Sequence, residues 1–242
     1  GVYAQIKKLP VKLDVFYLLR YDDEGTTRGE AGLGDRRTHT MGFYVDGKAG
    51  GRKEWDYGGT VAFQAGQFGR DDLCAYGLNS RLGYTFDLPW QPRLGFEFSY
   101  ASGDRDPTDG RHETFDNVFG AVDTYYGRMN LFSWMNLEDY QLTASVKPAK
   151  DVEIRADYHL FRLATDNDAW YFCNGRAARR DPAGDAGQTV GHEIDLLARW
   201  KINRHLELYA GYAHFFDGGF VDRTAGGGFD ADWLFAQLVF SF

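Results

Sequence analysis

Residues 231–242 read ADWLFAQLVFSF, and this stretch decides the fold class of the chain. Apolar residues recur at every second position, which is the period of a β-strand. One face is continuously apolar and consists of Leu234, Ala236, Leu238, Phe240 and Phe242. A strand with one continuous apolar face, at the end of a chain of many similar strands, is typical of an outer-membrane β-barrel. On this segment alone, a strand of a soluble β-sandwich is the alternative.

Composition favours strands with one lipid-facing side and one wet side. Aromatic residues make up 17% of the chain and there are 30 glycines, yet the mean hydropathy is negative. The chain has no apolar run near the ~18 residues that a membrane helix needs. The net charge of −8 argues against a nucleic-acid partner. The two cysteines, Cys74 and Cys173, form no CxxC or CxxCH motif, and whether they pair is left open.

The same two-residue period predicts eleven strands, most of them close to the ~9–11 residues that cross a bilayer at a tilt. They are predicted at residues 2–7, 11–21, 38–48, 55–66, 72–86, 93–101, 137–147, 152–163, 190–201, 206–215 and 231–242. Short turns (8–10, 49–54, 87–92, 148–151 and 202–205) alternate with usually long polar connections (22–37, 67–71, 102–136, 164–189 and 216–230).

This alternation predicts an all-β, transmembrane, antiparallel up-and-down β-barrel that forms a single domain over residues 1–242. Short turns would face the periplasm and long loops would face outward. About eleven strands is an odd number, whereas bacterial barrels normally close with an even one. We therefore expect these strands to be part of a larger barrel with further strands upstream.

Charged side chains alternate with apolar ones along the strands. An Arg or Lys on the lipid face costs roughly 2–4 kcal/mol at the bilayer midplane, so the charged faces must point inward. The predicted pore-lining residues are Arg81, Arg93, Glu97, Asp139, Arg155, Asp157, His159, Glu193, Asp195 and Arg199. They either form cross-strand ion pairs that rigidify the wall or select solute by charge at a constriction.

The connection at residues 102–136 far exceeds the usual loop length, and such loops tend to be functional. We predict that it is an extracellular or pore-constricting loop; a loop that only stabilises the mouth is the alternative. Its candidate residues are Arg111, His112, Phe115, Asp116, Tyr125, Tyr126 and Arg128. The acidic cluster of Asp104, Asp106 and Asp109 lacks the EF-hand register, so no metal site is predicted there.

Catalytic patterns are weak. Candidates are His112 beside Glu113, His159 near Asp157, and His192 beside Glu193, but the chain has no GxSxG or HExxH motif. We therefore predict that the protein is not an enzyme and has no catalytic residue or cofactor. An outer-membrane hydrolase is a less favoured alternative.

The central region carries specific motifs: ASGD followed by GRHETFD, then YYGRMNLF, SVKP, DYH, GHEIDL and GYAHFF. With them the chain resembles the alginate-export porin family of Gram-negative outer membranes. The resemblance implies an outer-membrane location among lipid and lipopolysaccharide, a barrel of typically eighteen strands, and passive diffusion of a polyanionic uronate through an arginine-lined lumen. The balanced charges of this lumen leave the solute open, as a uronate or another polar or anionic saccharide. A structural sleeve or anchor for a partner protein is the alternative function.

Overall fold

The computed structural model describes residues 1–117 and 125–242. Most of these residues lie in strands, which we number in chain order. The strands are β1 Val2–Ile6, β2 Lys12–Gly29, β3 Gly32–Ala49, β4 Trp55–Phe68, β5 Asp71–Thr85, β6 Arg93–Ala101, β7 Arg111–His112, β8 Leu137–Ala149, β9 Val152–Arg162, β10 Trp170–Tyr171, β11 Ala177–Arg179, β12 Thr189–Lys201, β13 Leu206–Asp217 and β14 Ala231–Phe240. The helix α1, Gly219–Arg223, has five residues.

One large sheet contains twelve of the described strands, and eleven of them follow one another in the order β1-β2-β3-β4-β5-β6-β8-β9-β12-β13-β14, while β7 pairs with β5 off this path. Each pairs antiparallel with its neighbour along this path, so the chain runs up and down without a crossover. The predicted strands and the all-β, antiparallel up-and-down barrel class are confirmed. The sheet's two edges are β1 and β14. The further strands expected from the odd count stay a prediction.

The polar connection predicted at residues 22–37 is wrong. Strands β2 and β3 continue through most of it and leave only Glu30 and Ala31 as a tight turn. The buried carboxylate of Asp71 holds this turn by accepting the backbone N–H groups of Glu30 at 2.5 Å and Ala31 at 2.7 Å. Gly32 follows the turn with φ +126°, a conformation that favours glycine. The polar residues of this segment therefore belong to a strand hairpin rather than to a loop.

The two faces of the sheet differ in chemistry as the alternation requires. On the outward face, Leu142 is 55% exposed and Leu196 is 51% exposed. The inward neighbours on the same strands are charged and buried, with Asp139 at 3% and Asp195 at 1% exposure. The apolar face is therefore available to lipid, and the charges converge on the concave side.

Apolar packing on the concave side is concentrated near the long connections, which we call the loop end. Phe132 stacks on Phe161 with ring centroids 3.8 Å apart, and Trp170 and Phe215 complete this cluster. A second cluster surrounds Phe115. These contacts bury parts of the loops inside the curve of the sheet. Among the described residues, no helix has the length and apolar character needed to cross a membrane.

A substitution on the outward face tests whether this face of the sheet contacts lipid. Leu196 lies in the middle of β12, so Leu196→Arg should lower the free energy of unfolding by about 2–4 kcal/mol. The control Leu196→Met conserves volume and apolar character and should cost less than about 1.5 kcal/mol. Urea unfolding in lipid vesicles measures both. Equal stability of the two variants would contradict a lipid-facing Leu196.

Candidate functional site

The inward charges on the β3–β6 side of the sheet form ion pairs across strands. Arg93 on β6 donates two hydrogen bonds to Asp56 on β4, at 2.8 Å from Nε and 2.6 Å from Nη2. Arg81 on β5 pairs with Asp46 on β3 and also donates to the Tyr44 hydroxyl at 3.2 Å. Bidentate arginine–carboxylate pairs fix geometry as well as charge. These arginines are therefore held against the wall.

A second charged group lies on β8, β9 and β12. His159 Nδ1 is 2.9 Å from Asp139 Oδ1, and its Nε2 is 3.8 Å from Asp195 Oδ2. Arg155 Nε is 2.7 Å from Asp157 Oδ2. These three carboxylates and His159 are each at most 3% exposed. Buried charges are stable only when paired, so this cluster joins the three strands.

The other predicted pore-lining residues also have polar partners. Glu97 accepts from Asn79 Nδ2 at 2.6 Å, and Arg199 Nε is 3.2 Å from Glu207 Oε1. All ten predicted residues thus lie on the concave side and contact a polar group. Sequence reasoning did not include Asp56, although its place beside the outward Trp55 was a signal for an inward carboxylate.

Glu193 on β12 connects the wall to the long loop at residues 102–136. Its Oε1 accepts the backbone N–H of Arg128 at 2.5 Å and of Met129 at 3.1 Å. The Glu193 side chain is fully buried. Gly127 has φ +80°, and a Cβ there would lie 2.5 Å from Glu193 Oε1. Only glycine allows the loop backbone to approach this carboxylate so closely.

Asp116 anchors the same loop to the opposite part of the wall. Its Oδ2 is 2.6 Å from Arg36 Nη2 and 3.2 Å from Arg20 Nη1. Gln64 on β4 also binds the backbone of Asp116, donating to its carbonyl at 2.6 Å and accepting from its N–H at 2.8 Å. The adjacent Phe115 is buried and packs edge-on against Trp134 at 4.9 Å. The described parts of the loop are therefore held at two places on the wall, one on β2–β4 and the other on β12.

The outer part of the loop runs beside β5. Strand β7 pairs with β5 in parallel, and the His112 ring stacks on Phe68 at 3.8 Å. Burial lowers the pKa of His112 to about 4, so the imidazole is neutral at pH 7. Burial and a hydrogen bond with Glu30 raise the pKa of Asp104 to about 7. Arg111 is exposed and pairs in register with Asp72 of β5.

The remaining loop candidates lie deeper. Tyr125 is 50% exposed, whereas Tyr126 is half-buried and has φ +59°. Burial raises the pKa of Tyr126 well above its usual value, so the phenol stays protonated. The Arg128 guanidinium lies 6.0 Å from the Tyr209 ring. Part of the predicted loop, residues 118–124, lies outside the described residues.

Asp168 was not a candidate in the sequence, yet it joins two loops at the loop end. It is fully buried and binds Arg180 at 2.7 Å, the Tyr171 hydroxyl at 2.7 Å and the Thr114 hydroxyl at 2.5 Å. It also accepts the backbone N–H of Asp104 at 3.0 Å. A lone aspartate in a polar connection gives no sequence signal for such a role.

Three adjoining cavities lie along the concave side. The upper cavity, about 920 Å³, is at the loop end and is lined by residues that include Arg20, Arg28, Arg36, Asp116, Asn117 and Arg180. The aromatic cavity, about 290 Å³, shares Asn117 with it. The lower chamber, about 550 Å³, shares Arg81, Glu97, Tyr125 and Tyr126 with the aromatic cavity. Loop residues thus stand at both junctions.

Within the described ranges, no group of three or more His, Cys, Asp or Glu side chains is arranged to hold a metal ion. Cys74 and Cys173 are free thiols. The titratable groups on the concave side instead bind one another and the loop. This arrangement can attract and orient a charged or polar solute.

A family model described as "Alginate export" matches residues 1–234. A solved structure titled "NanC porin structure in rhombohedral crystal form" aligns with 99% of this chain and 97% of its own, at 9% identity and a TM-score of 0.44. Comparison with curated proteins gives no match.

The Glu193 anchor can be tested by removing its carboxylate. Each of its two hydrogen bonds to the loop backbone contributes about 0.5–1.5 kcal/mol, so Glu193→Ala should raise the open population of the loop about tenfold. Trypsin cleavage after Arg128 would then be faster by the same factor. The control Glu207→Ala removes a wall carboxylate that pairs with Arg199, and it should leave this cleavage rate unchanged. Equal rates in both variants would contradict the anchor.

The two shifted pKa values predict opposite effects of pH. The folded chain holds the Asp104 proton up to about pH 7, so this group's contribution to stability falls as pH rises from about 4 to 7. His112 in the fold resists protonation, so its contribution falls as pH drops from about 6.5 to 4. Relative to the unmodified protein, Asp104→Asn should gain stability towards pH 7, and His112→Gln should gain it towards pH 4.

The differences should approach at most about 1.4 kcal/mol per pH unit. Unfolding free energies measured in urea between pH 4 and 8 provide the test. Parallel pH profiles for both variants and the unmodified protein would refute these assignments.

Proposed function

Because the chain belongs to the alginate-export family, we propose that it passes anionic saccharides, hexuronates above all, by passive diffusion across the Gram-negative outer membrane. The protein is a porin-type channel of that membrane. Its exposed apolar face contacts lipid and the acyl chains of lipopolysaccharide in this proposal. The proposal of an anionic solute is argued from the charged side chains that line the lumen.

Two lysines of the lower chamber carry the argument for an anionic solute. Six basic and five acidic residues line this chamber. Asp46 and Asp56 are neutralised by their arginines. Lys48 and Lys147, in contrast, are exposed and have no carboxylate within 4.0 Å in the described part of the chain. Their charge is therefore available to a solute.

The upper cavity adds a second cationic region at the opposite side of the loop. Arg20 pairs with Asp116 yet keeps 43% of its side chain exposed, and Arg180 pairs with Asp168 and keeps 40% exposed. Conduction needs sites that bind strongly enough to admit a solute and weakly enough to release it. Half-exposed arginines whose charge is partly balanced by carboxylates meet both conditions.

We infer that the loop at residues 102–136 narrows the path between these regions. Its anchors at Asp116 and Glu193 lie on opposite parts of the wall, and Asn117, Tyr125 and Tyr126 border the junctions of the cavities. The concave histidine, His159, is buried between two carboxylates that join strands. This pairing supports a channel wall rather than a catalytic centre.

Current through the full-length protein in a planar bilayer tests the solute. Trigalacturonate should block the open channel, and Lys48→Gln or Lys147→Gln should each weaken the block about fivefold, because a charge near 4 Å in water contributes about 1 kcal/mol. Both substitutions should shift the reversal potential towards cation selectivity. The control Lys53→Gln changes a lysine in the turn between β3 and β4 and should alter neither value.

A steady current that trigalacturonate does not block would contradict hexuronates as the solute but would still support a channel. An absence of current would contradict the channel and favour a structural sleeve for a partner protein.

A further inference from the structure

The aromatic cavity differs in chemistry from the regions above and below it. Its aromatic lining comes from β3 and from the loop: Tyr44, Tyr125, Tyr126 and Trp134. Amide side chains from Asn79 and Asn117 also line it. Pockets that bind small molecules combine aromatic walls with a few fixed polar groups. Among the described residues, Arg81 and Glu97 are the two charged residues that line the aromatic cavity, whereas seven Asp, Glu, Lys or Arg residues line the upper cavity and eleven line the lower chamber.

The polar groups of this cavity are held in place by one another. Asn79 Nδ2 donates to Glu97 at 2.6 Å, and Asn117 Nδ2 donates to the Ser133 hydroxyl at 2.6 Å. The Tyr44 hydroxyl accepts from Arg81 at 3.2 Å, and Arg81 is itself paired with Asp46. Groups positioned in this way bind a ligand without losing further side-chain freedom.

Trp134 is fixed by packing and keeps an unused donor. Phe115 packs against its ring, and a Cβ at Gly77 would lie 3.0 Å from its Cζ2 atom. The indole Nε1–H is buried and has no acceptor among the described residues. Since this nitrogen is covered by protein atoms, Trp134 offers the cavity its aromatic ring rather than a hydrogen bond.

These features match the chemistry of a pyranose ring. A pyranose presents a face of C–H groups, which packs on an aromatic ring, and an edge of hydroxyl groups, which hydrogen-bonds to amides and carboxylates. A small inorganic anion has no such apolar face. The cavity also lies between two solute-accessible regions, since it shares lining residues with each of them.

We propose that the aromatic cavity is a saccharide-ring subsite, in which Tyr44, Tyr125 and Trp134 contact the sugar face and Asn79 and Asn117 bind its hydroxyl groups. This inference rests on the proposed saccharide function and adds a second selection step. The lysines select for charge, and the aromatic cavity selects for the ring. The channel would thereby favour a uronate over an inorganic anion of equal charge.

Single-channel block of the full-length protein by two probes tests the subsite. Maltotriose carries no charge, and trigalacturonate carries one carboxylate per ring. Tyr44→Leu and Tyr125→Leu should each raise the concentration for half-block by about threefold to tenfold for both probes. Tyr125→Phe keeps the ring and should stay within about twofold of the unmodified channel.

The matched control is Tyr84→Leu, which removes a tyrosine of β5 that packs against the outward Trp55 and lines none of the three cavities. It should leave block by maltotriose unchanged. Tyr125 is half exposed, so its variants should fold, and their open-channel conductance verifies this.

The outcomes separate the subsite from the solute. Block by trigalacturonate that both leucine variants leave unchanged would overturn the subsite while the proposed function stands. Block by maltotriose alone, weakened in the leucine variants, would support the subsite and reject the hexuronate. A channel that neither probe blocks would overturn both.

Discussion

A charged side chain on the lipid face of a strand costs about 2–4 kcal/mol at the midplane, and the rest of this structure depends on that penalty. It places the charges of eleven strands on one concave side, where they are close enough to need partners. Arginines on this side pair with carboxylates, as Arg93 does by donating two hydrogen bonds to Asp56. The buried carboxylates of Asp139 and Asp195 pair with His159, which joins three strands. A polar lumen and a rigid wall are therefore two results of one constraint.

The same constraint holds the long loop inside the sheet. Glu193 is fully buried on the wall, and it is the loop backbone at Arg128 and Met129 that donates to it. On the other part of the wall, Arg20 and Arg36 receive their counter-charge from Asp116 of the loop. The wall and the loop thus complete each other's hydrogen bonds. In the proposed channel, this positions the loop between two cationic regions and places Tyr125 and Tyr126 of the loop beside Arg81 and Glu97 of the wall at the lower junction.

The strands could be predicted from the sequence because a two-residue period with turns between is a local signal. The hairpin at residues 22–37 could not, since its turn depends on Asp71, which is distant in sequence. The inward direction of Arg93 and Glu193 followed from alternation, but their partners did not. The position of Asp56 near Arg93 depends on the strand register. The hydrogen bonds that Glu193 accepts depend on how the loop folds back against β12. Asp168 depends on the meeting of two polar loops, for which no periodic pattern exists.

In the proposed channel, the loop at residues 102–136 lies within the lumen and limits the current. The decisive measurement is the single-channel conductance of the full-length protein with and without residues 108–128. Replacement of these residues by a short Gly-Ser linker removes both anchors, Asp116 and the Arg128 backbone, while leaving the strands intact. If the loop narrows the lumen, the conductance should rise severalfold. An unchanged conductance in a correctly folded barrel would contradict it and would mean that the loop only stabilises the mouth.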